Sequence, residues 1–279
     1  MRTRLRALRL NTPGWHLLSV AIAAVFGVPL LFALSLSLRQ VDRTLPTTME
    51  WLPNPIVLGN YAQALADGNL IRYGLNSLLV VTVALPVTLV VASWAGLAMA
   101  RSGHAVQRRM VAFCVVALLI PHSMIWLPRF LMVKWAGLID SPFALMLPAL
   151  MGTSPLFALL FYWAFRRQPA DLFDAAAMDG AGALRVWWSL ALPLVGPTAM
   201  AVAALTFLYF WGDYIDPLLM IKSPARYTLP IGLSILQQFD KTRWPLVMAA
   251  AVLYALPSIG VFLAAQRYFL SGRRMLWLS

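Results

Sequence analysis

The chain has 279 residues, of which 61% are hydrophobic and only 11% charged, and its mean hydropathy is +0.76. A soluble domain carries about 25% charged residues, so there is too little polar side chain here to cover a globule in water. That excludes a soluble enzyme, a disordered chain and a fibrous repeat, and it points to an all-α, polytopic membrane protein.

Six segments reach the roughly 20 apolar residues that a spanning helix needs: 15–38, 73–100, 110–133, 142–165, 194–221 and 245–269. Residues 1–14 form a basic start with Arg2, Arg4, Arg6 and Arg9. The run after it is too long for a signal-peptide core and reads as a retained anchor. Residues 39–72 hold Pro46, Pro53, Pro55 and Gly59, so they read as an irregular outer loop with a short helix near 60–66. Residues 73–270 then form one core of five spans, followed by a tail, 271–279. In the second span Ala92, Gly96 and Ala100 recur every four residues, a small-residue stripe that lets another helix approach closely.

The net charge is +12. In so apolar a chain this reads as loop charge facing anionic lipid, and no nucleic-acid partner is expected. With a cytoplasmic N-terminus, thirteen Lys and Arg fall on the inner side and nine on the outer, so both termini are expected in the cytoplasm. Only three of the ten acids fall inside, namely Asp171, Asp174 and Asp179, all on one segment. Cys114 is the single cysteine, and His16, His104 and His122 are scattered. No spacing suggests a metal site, and each histidine reads as structural.

The inner segment 166–193 is not a simple loop. Pro169 suits a first helical position, Asp171 suits the positive end of the helix dipole, and Gly180 suits a left-handed stop. Two short helices at an angle, lying on the cytoplasmic surface, are expected over 169–190. Asp174, Ala175 and Ala176 are followed after three residues by Gly180, then after nine by Leu190, then by Leu192 and Pro193. This resembles the EAA motif of ABC-importer permeases, with Asp for Glu at 174 and Leu for Ile at 190.

The likeness extends over about residues 45–272. Asn76 and Ser77 resemble the start of the permease core. The stretch Trp211-Gly212-Asp213-Tyr214 with Pro217-Leu218 resembles a motif of sugar permeases, with Gly where Asn is usual. Tyr227-Thr228-Leu229-Pro230 with Gly232-Leu233 is similar to a further stretch. The resemblance is to the maltose-permease G-subunit family of carbohydrate importers, and the tail, which ends Trp277-Leu278-Ser279, departs from it. It implies the type I importer fold and alternating access in a bacterial inner membrane. It also implies a second homologous permease, two ATPase subunits and a solute-binding protein outside. ATP and magnesium would sit on the ATPases, with no cofactor on this chain. Asp174, Ala175, Ala176, Asp179, Gly180, Leu192 and Pro193 would couple to the ATPase. Gln237, Gln238 and Asp240 would face the binding protein. Importers of glycerol-3-phosphate and polyols share this architecture.

Asp213 and Asp216 lie about 20 residues beyond Pro193, or roughly 30 Å along a helix, near the outer interface. With Tyr209, Trp211 and Tyr214 they could line the translocation path or an outer vestibule, and an interfacial aromatic belt accounts for the same residues. Other functions find little support. A phosphate loop needs Gly before Lys, and Lys134, Lys222 and Lys241 follow Val, Ile and Asp. An intramembrane aspartyl site lacks its first Gly at Phe210, and a serine site Gly152-Thr153-Ser154 ends in Pro155. A passive channel has no use for the elbow at 169–193.

Overall fold

An amide in hydrocarbon finds no water to bond, so the backbone must satisfy itself within helices. The structure, a computed structural model, describes residues 13–41, 51–239 and 243–275, and every regular element among them is helical. In chain order these are α1 (Pro13–Ser37), α2 (Gly59–Asp67), α3 (Leu70–Arg101), α4 (His104–Leu118), α5 (His122–Trp135), α6 (Pro142–Leu150) and α7 (Pro155–Arg166). There follow α8 (Ala170–Met178), α9 (Ala183–Val186), a π turn (Trp187–Ala191) and α10 (Leu192–Leu194). The rest is α11 (Gly196–Trp211), α12 (Ile215–Met220), α13 (Leu229–Phe239) and α14 (Trp244–Met275).

Four helical stretches are long and apolar enough to cross a membrane: α1, α3, α6 with α7, and α14. Two further spans arise if each bent pair counts as one. Here the structure departs from the expected rods. The segment 110–133 is broken before Pro121, and α4 and α5 meet at 94°. The segment 194–221 is broken twice. Residues 183–194 meet α11 at 88°, and α11 stops at Trp211 before α12 begins. Pro197, at the start of α11, and Pro121 explain two of the breaks, because proline donates no amide and clashes with the preceding turn.

The chain divides into two compact units. One holds α1, α2 and the start of α14 to Leu253, with Leu236–Phe239; the other holds residues 69–235 and the rest of α14. In the first, α2 closes the end of α1. The Asn60 amide donates to the carbonyls of Ser37 and Arg39 at 2.8 and 2.6 Å, and Ser37 Oγ meets Tyr61 Oη at 2.7 Å. Carbonyls that a helix end leaves open are thus bonded.

In the second unit α3 is the hub, packed against α6, α7 and α11. The polarity is that of a membrane protein. Phe113, Leu119 and Phe262 are exposed, while Ser77, Thr88, Ser93 and Thr206 are buried. The small-residue stripe of α3 receives α7. A Cβ on Gly96 would lie 2.5 Å from Phe161 Cβ, 2.8 Å from the Tyr162 amide nitrogen and 2.9 Å from the Ala158 carbonyl oxygen. One turn along, Gly152 backs onto Ala92, and Thr88 Oγ1 bonds Thr153 Oγ1 at 2.6 Å. At the other end of α3, Asn76 donates to the carbonyls of Ala225 and Tyr227, and Ser77 Oγ accepts the Leu229 amide at 2.9 Å. Two motif stretches far apart in sequence are therefore one contact.

Asp140 ties the α5–α6 turn to the segment after α12. Its carboxylate accepts from the Ser223 hydroxyl and amide and from the Lys222 amide, with Arg226 beside it. The Ser223 hydroxyl above all, then those amides, lower its pKa from 3.8 to about 2.

Two outcomes are expected. Gly96→Ala must push α7 away from α3, and overpacking of this kind costs about 1–3 kcal/mol; the melting temperature of the purified chain in detergent should fall, and an unchanged value would count against the seam. The fold prefers ionised Asp140, so its stabilisation is full above the ordinary carboxylate pKa and is lost as pH falls from about 4 through 2. Asp140→Asn should lower the melting temperature at neutral pH, and its deficit should close over that window.

Candidate functional site

The elbow spans residues 170–194. Pro169 has ψ 134° and caps α8 from outside instead of opening its first turn, and Asp171 lies in that turn. α8 ends in a Schellman motif, with the Ala181 amide donating to the Ala176 carbonyl and the Gly180 amide to that of Ala177, both at 3.0 Å. Gly180 takes φ +71°, and a Cβ there would meet nothing within 4 Å. Glycine is needed for its backbone, not for close approach.

Both limbs of the elbow are plugged into the α3–α7 core. Phe173, the buried residue of α8, packs with Phe157, Phe161, Phe165 and Ala191. Trp187 is buried on the second limb, its indole N–H donates to Ser93 Oγ at 2.9 Å, and its ring meets Trp94 edge to face. Arg101, the last residue of α3, reaches Asp174 Oδ1 at 2.8 Å and lies 5.0 Å from the Phe173 ring centre. The two side chains are 42% and 66% exposed, so the pair contributes about 0–1 kcal/mol. The sequence reading gave Asp174 to a partner; here it is engaged within the chain. Ala175, Asp179 and Gly180 are exposed, Ala176 and Leu192 are partly buried, and Pro193 is exposed. Leu172, Met178, Leu184 and Trp188 add an exposed apolar surface. A cavity of about 130 Å³ lies behind the elbow between Arg101, Phe165, Gln168 and Phe173.

The residues at 209–216 do not share one surface. Trp211 is buried, stacks on Phe207 and Tyr254, and donates to the Tyr254 carbonyl at 3.1 Å, so it is a packing residue. Tyr214 meets Ser234 Oγ at 3.2 Å. Asp216 is buried in an ion pair with Arg129 of α5, and its Oδ1 has no hydrogen-bond partner. Asp213 Oδ1 accepts the Asp216 amide at 3.3 Å. Tyr209 Oη lies 3.0 Å from His122 Nε2. The estimate of roughly 30 Å from Pro193 assumed one straight helix. α11 holds only 16 residues, about 24 Å. Gln237 and Gln238 are exposed at the end of α13, and Asp240 lies outside the described residues.

Residues 92–275 match the family described as binding-protein-dependent transport system inner membrane component. The chain belongs to this family. It is 34% identical over 221 residues to ORF1 of Streptomyces antibioticus, named for an ABC transporter permease, covering 79% of this chain and 96% of that one. It is 28% identical to the arabinooligosaccharides transport system permease protein AraQ of Halalkalibacterium halodurans, covering 91% and 90%. A bacterial ABC transporter for import of the acidic polysaccharide alginate matches its fold with a TM-score of 0.74 at 19% identity, covering 92% and 98%. The chain is thus a multi-pass permease subunit of an ABC importer.

Sequence reasoning missed several residues of this permease. Arg101 and Arg129 count in the sequence only among the inner and outer loop cations, and His122 reads as structural. His122, Trp126 and Arg129 stand at i, i+4 and i+7, a single helix face. That spacing was the available signal. Nothing local marked Arg101 as the partner of Asp174.

Because Gly180 has room but a left-handed backbone, Gly180→Asn should be better tolerated than Gly180→Val, whose cost is about 1–2 kcal/mol. Uptake by the assembled importer should rank Gly, Asn, Val; equal rates for all three would show that the left-handed turn is dispensable.

Proposed function

We propose that this permease imports carbohydrate across a bacterial cytoplasmic membrane by alternating access. It would pair with a second homologous permease, two ATPase subunits and an extracytoplasmic binding protein, with both of its termini in the cytoplasm. The names of relatives support the substrate class: arabinooligosaccharides, lactose and diacetylchitobiose. ATP and magnesium belong to the ATPases in this reading. The chain supplies a lever.

The observation that carries it is the elbow plugged by Phe173 and Trp187 into the α3–α7 core. A docking ATPase would press on Ala175, Asp179 and the apolar surface of Leu172, Met178 and Leu184. The push would travel through two buried aromatic anchors into α3 and α11, past Leu192 and Pro193, and not through a slack loop. Tyr209, Asp213 and Tyr214 would border the path, with Asp216 held behind them on Arg129 and Trp211 fixing α11 against α14. Gln237 and Gln238, with Asp240, would meet the binding protein.

Phe173→Ala tests the lever. Truncating a buried Phe costs about 3–5 kcal/mol, here spent on loosening α8. The expected result is a complex that assembles and hydrolyses ATP while uptake falls sharply; undiminished uptake would sink the elbow model. A reporter fused to the C-terminus should score cytoplasmic, and a periplasmic score would overturn the orientation.

A further inference from the structure

Two helix breaks meet inside the second unit. α4 and α5 part at 94° across residues 119–121, and α11 and α12 part across 212–214. α5 packs on α12. Non-helical backbone at membrane depth is tolerated where it is buried in protein or lines a water-filled cavity, and discontinuous helices often frame transport sites. His122 follows the first break and Asp213 lies in the second.

A relay runs across the junction. Trp126 Nε1–H donates to His122 Nδ1 at 3.1 Å. Indole only donates, so Nδ1 carries no proton and the ring hydrogen is on Nε2. That N–H then donates to Tyr209 Oη at 3.0 Å. Tyr209 accepts this bond, which leaves its own O–H free to donate. The His122 ring stands edge to face with both Trp126 and Tyr209, with centres 6.4 and 5.9 Å apart. His122 is exposed, and Trp126 and Tyr209 are partly so. Facing hydrocarbon, such a polar group would be costly.

The charge balance narrows the ligand. Arg129 is consumed by Asp216, their side chains only 16% and 2% exposed. The other terminal nitrogen of Arg129, Nη2, lies 3.4 Å from His122 Nε2, so the guanidinium at this corner is already engaged. An anion would find no unpaired guanidinium among the described residues of this corner.

We propose that the corner of His122, Trp126 and Tyr209 is a contact site for an uncharged sugar ring. The aromatic faces cover the ring's C–H face, and the Tyr209 hydroxyl donates to a sugar oxygen. This rests on the carbohydrate reading above.

The test uses the complete importer with its binding protein in proteoliposomes. The probes are maltose, lactose and cellobiose against galacturonate and glycerol-3-phosphate. Uptake of a neutral sugar is expected, with its KM raised about three- to tenfold by Tyr209→Phe and by His122→Gln, the span of one lost hydrogen bond. Trp135→Phe, on the exposed end of α5, should leave KM unchanged. Neutral-sugar uptake with unchanged KM in both corner variants overturns the site and leaves the carbohydrate reading standing. Preference for galacturonate overturns the charge assignment alone. Uptake confined to glycerol-3-phosphate overturns both.

Discussion

The approach of α7 to within 2.5 Å of where a Gly96 side chain would begin sets the rest of the second unit. In lipid the hydrophobic effect does not press helices together, so association depends on close packing and a few polar contacts. Gly96 admits the Phe161 side chain and the backbone of Ala158 and Tyr162, Ala92 admits the Gly152 turn, and Thr88 bonds Thr153. With that seam closed, Phe157, Phe161 and Phe165 form a fixed apolar wall, and Phe173, Ala191 and Val195 pack on it. The elbow has a defined position because the wall does.

How legible this was depends on the kind of interaction. Apolar length marked the spans, since a run of about 20 apolar residues is a local property. The elbow was legible for the same reason. Its Schellman stop is written in Gly180, and its two limbs in a fixed spacing. The small-residue stripe was visible, but its partner was not, because nothing in Ala92, Gly96 and Ala100 names α7. The breaks at 119–121 and 212–214 hide inside hydrophobic runs: Pro121 looks like any kink, and Gly212 like any glycine. Long-range pairs such as Arg101 with Asp174, or Asn76 with the carbonyls of Ala225 and Tyr227, exist only after folding.

The polar corner shows a second constraint. An ion pair taken out of water is expensive unless every lone pair is used. Arg129 and Asp216 meet, yet Asp216 Oδ1 remains without a partner. A chain selected for stability alone would fill this place with leucine. An ionisable group kept within a membrane segment is by default a functional-site hypothesis, and that is the ground on which the corner is proposed as a site.

The elbow is held by forces of different kinds, and this decides what can change there. The Arg101–Asp174 pair is exposed and worth about 0–1 kcal/mol. Burying Phe173 is worth about 1.5–3 kcal/mol, and Trp187 adds a buried hydrogen bond to Ser93. A cation arriving on a partner protein can therefore take Asp174 from Arg101 without lifting α8 from its socket. The carboxylate is the exchangeable contact and the two aromatic rings are the fixed ones. The proposed lever needs that division, since a grip that released the rings would lose the motion it is proposed to pass on.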